Sequence, residues 1–192
     1  MLKYLVAIGL AGVLSNLAQA QNVPSEAALR QEVEQALWPN DIAELATDYM
    51  RLYPQNPGGS WARELREKAR IAMRALGSED VKLYKSAFQP HRVPASAPPT
   101  ANEDLRRAAL GDKDAALRVA KVYERPDVTP GPELDRYIGW LQFAARLGNE
   151  KAAYELALLY RKLDQPALAA KFEARAIELG FKPPPALDHI RK

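Results

Sequence analysis

Cysteine is absent from the 192-residue sequence, and histidine occurs only twice. A chain without cysteine can form no disulfide, no thiolate metal site and no thiol nucleophile. His91 and His189 have no second ligand three or four residues away, so the sequence predicts no metal site and no cofactor. The fold must therefore be stabilised by packed apolar surface, which a chain of this length can supply.

A strong excess of charge of one sign is also missing. The formal net charge is +3, and the densest basic stretch, Arg63 to Arg74, is interrupted by Glu64 and Glu67. Nucleic-acid binding requires a patch of one sign with aromatic residues between the cations. We therefore expect no nucleic-acid partner, and we interpret the charges as solvated helix faces with pairs such as Glu64 and Lys68.

Long apolar runs are confined to the amino terminus. A basic start, Met1 to Lys3, precedes the apolar run from Tyr4 to Leu14 and the small-x-small sequence from Ala18 to Ala20. This layout predicts a secretory signal over residues 1–20 with cleavage before Gln21, and an uncleaved membrane anchor is the alternative. We therefore expect a periplasmic or secreted protein that has no stable membrane span after cleavage.

Proline divides the chain into regions. The segment from Gln89 to Thr100 contains four prolines in twelve positions, a density that excludes an α-helix and favours an extended linker. We predict an N-terminal helical region over 21–88, this linker over 89–100, a C-terminal helical region over 101–182 and a tail over 183–192.

Apolar residues at helical spacing, separated by proline and glycine breaks, predict helices in the N-terminal region. The first predicted helix is capped by Ser25 and runs to about Trp38, and the second runs from Asn40 or Asp41 to about Tyr53. The third is capped by Ser60 and ends at Leu76, before Gly77. A short fourth element is predicted over 78–88. They form two antiparallel helix pairs.

The C-terminal region contains an internal repeat. The segment Ala115–Tyr123 matches Ala152–Tyr160 position by position, with an offset of 37 residues. The segment Trp140–Gly148 matches Phe172–Gly180 with an offset of 32, and the longer connection after Tyr123 explains the difference. A period in the thirties that is made of two amphipathic helices indicates an α-solenoid.

This pattern resembles the Sel-one-like repeat, a branch of the tetratricopeptide-like solenoids. That family reads small-xxx-Leu-Gly-xx-Tyr on its first helix and aromatic-xxx-Ala-Ala-xx-Gly on its second. The matching positions of this chain are Ala115, Val119, Ala120, Tyr123, Trp140, Ala144, Ala145, Gly148, Ala152, Leu156, Ala157, Tyr160, Phe172, Ala176, Ile177 and Gly180. Alanine replaces the preferred glycine at 120 and 157, and the family's Gly-x-Gly after the tyrosine is missing.

The resemblance covers roughly residues 103–181 and implies an all-α fold, a short right-handed α-solenoid of antiparallel helix pairs that follows N-terminal helical hairpins. In such a fold the small motif residues let two helices approach closely, and the aromatic ones fill the gaps between layers. Two repeats and a fragment fall below the usual three, so either the N-terminal helices complete the stack or the protein forms a homodimer.

The resemblance also implies that the chain is a protein–protein interaction scaffold in a cell-envelope assembly and not an enzyme. Partner binding is expected on the solvent-facing side of the first helices and their loops, at Arg118, Lys121, Glu124, Glu155, Arg161 and Lys162. A carbohydrate- or peptidoglycan-binding module that uses Trp38, Trp61 or Tyr53 is an alternative, although these rings could equally seal helix corners. A small hydrolase is a weaker alternative because no Gly-x-Ser-x-Gly turn is present.

Overall fold

The computed structural model describes residues 23–125 and 129–182, so the predicted signal at 1–20 and the tail at 183–192 lie outside the described residues. All regular structure within these ranges is helical, which confirms the predicted all-α class. The α-helices are α1 (Glu26–Gln35), α2 (Pro39–Leu52), α3 (Gly59–Leu76), α4 (Ala101–Ala109), α5 (Lys113–Val122), α6 (Pro132–Arg146), α7 (Glu150–Lys162) and α8 (Pro166–Glu178). In this part of the chain, no helix has the length and apolar character needed to cross a bilayer.

Two kinds of residue start six of the eight α-helices in the described ranges. Side-chain caps begin α1, α5 and α7, where oxygens of Ser25, Asp112 and Asn149 accept hydrogen bonds from backbone N–H groups of the first turn. These bonds satisfy donors that have no partner inside the helix. Proline stands at the first position of α2, α6 and α8, where its missing N–H costs no helical hydrogen bond.

Left-handed residues end four of the helices. At the end of α6, Gly148 has φ +100°, and the N–H of Asn149 donates to the carbonyl oxygen of Ala144 over 2.9 Å. This is a Schellman motif, and it suits glycine because a Cβ atom is unfavourable at positive φ. The same arrangement recurs after α4, α7 and α8.

Asp164 occupies the left-handed position after α7 with φ 54°. A left-handed residue with a Cβ costs about 1–2 kcal/mol, and less for aspartate, so Asp164→Gly is expected to raise the free energy of unfolding by about 0.5–1 kcal/mol. Urea denaturation followed by circular dichroism measures the change. Asp164→Ala is the matched control and is expected to be destabilising. Equal midpoints for the two variants would contradict the argument.

The junction between α1 and α2 differs from the sequence prediction. Helix α1 ends at Gln35 and does not continue to Trp38, and α2 begins at Pro39, before Asn40 and Asp41. Trp38 has extended backbone angles, φ −84° and ψ 127°, as expected for a residue that precedes proline. Proline therefore opens the second helix here, and the first helix ends four residues before it.

The third helix begins slightly earlier than predicted. Gly59 is its first residue, and Ser60 lies inside the first turn, where its hydroxyl donates to the carbonyl oxygen of Pro57 over 3.2 Å and does not cap the helix. The predicted end at Leu76 is confirmed. Gly77 follows with φ −76°, so it does not adopt the left-handed conformation that glycine permits.

The segment that follows α3 is mostly not helical. The predicted short element over 78–88 is reduced to a 3-10 helix over Lys85–Phe88, and residues 81–84 have no helical structure. Val81 and Leu83 are buried while Lys82 and Tyr84 are exposed, which is the alternation of an extended chain packed on one side. The proline-rich segment expected to be extended contains a second 3-10 helix, Pro90–Arg92.

The main apolar core includes buried residues from both sides of the proline-rich segment. Phe88 is its centre, with ring centroids 5.3 Å from Trp38, 4.9 Å from Trp140 and 6.0 Å from Phe143. Consecutive helices pack on one another from α1 to α8, and α3 also contacts α6. Helices α2 and α3 therefore share a core with the helices of the repeat region, whereas α1 packs on α2 and α3 in a separate smaller cluster, whose buried residues are Leu29, Val33, Ala46, Tyr49 and Ala62.

Candidate functional site

Arg118, the first of the predicted partner-binding residues, forms an ion pair between α5 and α4. Its Nε and Nη2 groups donate to Oδ1 of Asp104 over 3.0 and 2.7 Å. The Asp104 side chain is only 8% exposed, and its hydrogen bonds hold the pKa of Arg118 above the ordinary value. Reversing the charge of Arg118 would leave the buried carboxylate of Asp104 without its partner, so Arg118 has a structural role.

Lys121, Glu124 and Glu155 are brought together in one cluster. The Lys121 ammonium lies 3.3 Å from both carboxylate oxygens of Glu124 and forms an ion pair with Glu155 of α7. Partial burial, the largest single effect, would lower the pKa of Lys121, but the hydrogen bonds and negative charges of Glu155 and Glu124 together outweigh it, and the pKa is raised. The cluster therefore joins α5 to α7.

Tyr137 of α6 completes this cluster. Its hydroxyl donates to Oε1 of Glu124 over 3.3 Å. Burial, reinforced by the nearby carboxylates of Glu155 and Glu124, raises the pKa of Tyr137 well above its usual range. The phenol therefore stays protonated and acts as a donor between helices.

The last two predicted residues lie at the end of α7. Arg161 forms an ion pair with Glu173 of α8, and this hydrogen bond raises its pKa. Lys162 is exposed and forms no ion pair with any of the described residues. Most of the predicted binding charges are thus already paired between helices.

The twelve predicted repeat-motif residues are mostly internal. Ten of them are buried: Ala115, Ala120, Tyr123, Trp140, Ala144, Ala152, Ala157, Tyr160, Phe172 and Ala176. The remaining two, at 148 and 180, are the glycines with positive φ that follow α6 and α8. The rings of Tyr160 and Phe172 stack with centroids 5.6 Å apart, which joins the last two helices.

The aromatic residues of the carbohydrate alternative pack against other side chains. The half-buried Trp38 meets Phe88 edge-on, and Trp61 meets Tyr49 edge-on at 5.5 Å. The guanidinium of Arg30 lies 4.8 Å from the Trp61 ring centroid. The Tyr53 hydroxyl donates to the carbonyl oxygen of Pro24. These rings therefore hold helix corners together.

The extended segment at 81–84 lies directly on α6, a feature that sequence reasoning missed. The backbone N–H of Lys82 donates to Oε1 of Gln142 over 2.9 Å, and Nε2 of Gln142 donates to the Tyr160 hydroxyl over 3.0 Å. At Gly139, a Cβ atom would stand only 2.8 Å from the carbonyl oxygen of Lys82. A glycine in the middle of a helix is the sequence signal for such a close approach.

Gly139→Ala is expected to detach this segment from α6. Alanine stabilises a helix interior by about 1 kcal/mol relative to glycine, but its Cβ would displace the backbone at Lys82. We therefore expect faster tryptic cleavage after Lys82, measured by mass spectrometry of timed digests. The matched control is Gly59→Ala, because a Cβ at that helical position would meet no atom of the described residues within 4 Å, apart from its chain neighbours and the backbone of its own helix. Equal cleavage rates in both variants would refute the close approach.

Three clefts adjoin the N-terminal half of α6, and a fourth, of about 290 Å³, lies beside its C-terminal end at Ala145 and Arg146. The largest, about 520 Å³, lies between the extended segment and the start of α8, and its rim carries Tyr84, 71% exposed, and Leu168, 36% exposed. A basic cleft of about 260 Å³ lies on the other side of the segment, beside Arg92 and Arg136. A third, of about 310 Å³, adjoins the first turn of α6 and is lined in part by Leu134. The accessible concave surface is therefore concentrated on this helix.

The clefts are not accompanied by a metal-binding cluster: no three His, Asp or Glu residues in 23–125 or 129–182 are grouped so that they could hold an ion. No family model, no curated protein and no solved structure matches this chain. The resemblance to the Sel-one-like repeat accordingly depends on the residues of this sequence alone.

Proposed function

We propose that this chain is an exported interaction scaffold of the cell envelope, whose C-terminal helix pairs form a short right-handed solenoid of the Sel-one-like type. The observation that carries the proposal is a repeated helix junction. At Gly111–Asp112 and again at Gly148–Asn149, a left-handed glycine closes one helix and the next residue caps the following one. The two junctions are 37 residues apart, the same offset as the repeated tyrosines.

Bonds between the two junctions support stacked helix pairs. Nδ2 of Asn149 donates to Oδ1 of Asp114 over 2.9 Å, and the Lys113 ammonium donates to the carbonyl oxygen of Gly148 over 3.1 Å. They fix the start of α7 against the start of α5. Stacked units that contact mainly their neighbours are typical of repeat proteins, which use their extended surfaces to bind other proteins.

The cleft between the extended segment and α8 is the proposed partner surface. Tyr84 and Leu168 stand on its rim, and the buried Phe172 lines its wall. Exposed aromatic and aliphatic side chains beside a concave surface are typical anchors of protein interfaces. The paired charges of α5 and α7 are a poorer choice because their partners lie within the chain.

Affinity capture from the native envelope tests the proposal. The tagged protein is crosslinked in intact cells, and the captured proteins are identified by mass spectrometry. We expect one reproducible protein partner, with recovery reduced about tenfold in the double variant Tyr84→Ser, Leu168→Ser.

The matched control carries Leu158→Ser and Ile177→Ser, which remove two other exposed apolar side chains. Recovery should be unchanged in this control. Capture of wall glycan without any protein would favour the carbohydrate-binding alternative and overturn the scaffold. The same samples test export, since a processed chain would begin at Gln21.

A further inference from the structure

The basic cleft beside the extended segment contains an excess of positive charge. Its walls carry Lys82, Arg92 and Arg136, and Asp135 is the single acidic residue among those that line it. None of the three cations forms an ion pair with a carboxylate in the described part of the chain. They differ in this respect from Arg118, Lys121 and Arg161, which are paired.

The two arginines are positioned by a single buried tyrosine. The Arg136 guanidinium lies 5.9 Å from the Tyr123 ring centroid, and the Tyr123 hydroxyl donates to the carbonyl oxygen of Arg92 over 3.3 Å. Lys82 is held through its backbone bond to Gln142. Cations on a fixed backbone lose less conformational entropy when they bind an anion. The N-terminus of α6, at Pro132, adds partial positive charge to the same cleft.

The extended segment lines this cleft with Leu83 and Tyr84, and some of its backbone groups have no partner among the described residues. Leu83 neither donates nor accepts a backbone hydrogen bond within the described residues, and the N–H of Tyr84 has no acceptor there. The Tyr84 side chain is 71% exposed beside them. An extended segment with unpaired backbone groups can bind a second extended chain through main-chain hydrogen bonds.

We propose that the basic cleft and residues 81–84 bind an acidic, extended peptide segment of a protein partner. Carboxylates of the peptide pair with Lys82, Arg92 and Arg136, its backbone pairs with Leu83, and an apolar side chain packs on Tyr84. A peptide fits better than an anionic glycan because its N–H and C=O groups match the free groups of Leu83. The inference depends on the proposed scaffold function, since it assigns chemistry to the partner.

Binding of fluorescein-labelled hexaglutamate tests the site, measured by fluorescence anisotropy at low ionic strength on the full protein isolated from its cells. We expect saturable binding that weakens with salt and falls about tenfold in the variant Lys82→Glu, Arg92→Glu. The matched control is Arg63→Glu, Arg74→Glu, which changes the net charge equally at two exposed arginines of α3 that form no ion pair within the described ranges. Melting curves from circular dichroism verify that both variants are folded.

Hydrogen exchange supplies a second measurement that does not depend on charge. The amide of Leu83 should exchange more slowly when hexaglutamate is bound, because it gains an acceptor, whereas the N–H of Tyr84 points to the opposite side of the extended segment. Failure of hexaglutamate to bind, or equal binding by both charge variants, overturns the proposal. Tighter binding of oligogalacturonate, with no protection of Leu83, overturns it in favour of an anionic glycan.

Peptide binding and partner capture, taken together, distinguish failure of the acidic-peptide site from failure of the scaffold function. If the envelope partner is captured equally by Lys82→Glu, Arg92→Glu and by the unaltered chain, the scaffold stands and the acidic-peptide site is refuted. If hexaglutamate binds as expected but no envelope protein is captured, the peptide site is supported and the proposed scaffold function fails. Loss of both hexaglutamate and the partner in the same variant supports both.

Discussion

Replacing Trp140 with alanine is expected to lower the free energy of unfolding by about 3–5 kcal/mol, because it leaves a large cavity in the core. The side chain is fully buried, and its ring centroid lies 4.9 Å from that of Phe88 and 5.9 Å from that of Phe143. A loss of this size is a large fraction of the stability of a typical domain. Urea denaturation followed by circular dichroism measures it.

Phenylalanine at the same position is the matched control. The Nε1 of Trp140 is buried without a hydrogen-bond partner in the described part of the chain, so phenylalanine removes an unsatisfied N–H together with part of the ring. We expect Trp140→Phe to cost clearly less than Trp140→Ala, about 1–2 kcal/mol. Equal costs for the two variants would show that packing around this ring is not what stabilises the core.

Asn149→Ala is expected to cost about 2–4 kcal/mol, because it removes a helix cap and also leaves buried polar groups without partners. The side chain is 1% exposed. Its Oδ1 accepts from the N–H of Ala152 over 2.8 Å, and its Nδ2 donates to Oδ1 of Asp114 over 2.9 Å. Chemical denaturation of the variant measures the loss.

Ser25→Ala measures the contribution of a helix cap alone, without the buried bonds that Asn149 also makes. Ser25 caps α1 through one bond of 3.2 Å to the N–H of Ala28, and that bond is exposed. Its loss is expected to cost about 1 kcal/mol, the usual value of a cap alone. If Asn149→Ala proves no more costly than Ser25→Ala, the bonds between α5 and α7 contribute nothing to stability.

Local signals in the sequence predicted much of the helical structure. The cap at Ser25 and the end of the third helix at Leu76 depend on short-range chemistry, which the residues themselves carry. The left-handed positions of Gly148 and Gly180 follow in the same way from a helix that ends on Leu-Gly. Such features need no knowledge of distant parts of the chain.

Segments fixed by distant contacts were not predictable from local signals. Only residues 85–88 of the short element expected over 78–88 are helical, because Leu83 and Phe88 pack against α6, which follows much later in the sequence. Propensity was outweighed by tertiary packing at these residues. Trp38 was assigned to the end of a helix, whereas contact with Phe88 and the following Pro39 place it between two helices.

The candidate surface was predictable only in part. Helical phase correctly shows that Lys162 faces solvent, but it cannot show that Lys121 and Arg161 pair with Glu155 and Glu173 on neighbouring helices. Those pairs depend on how the helices cross. The clefts beside residues 81–84 depend on the same long-range packing, and so they could not be derived from periodicity.

The docking of residues 81–88 on α6 has a kinetic consequence. Repeat proteins form contacts mainly between neighbouring units, and their folding can start in any unit and spread to the next. Here the bond from Lys82 to Gln142 joins residues that are 60 positions apart, so a long loop must close before the shared core is complete. Loop closure at such separation slows folding. We therefore expect this chain to fold more slowly than a helical array of the same length whose contacts are all local.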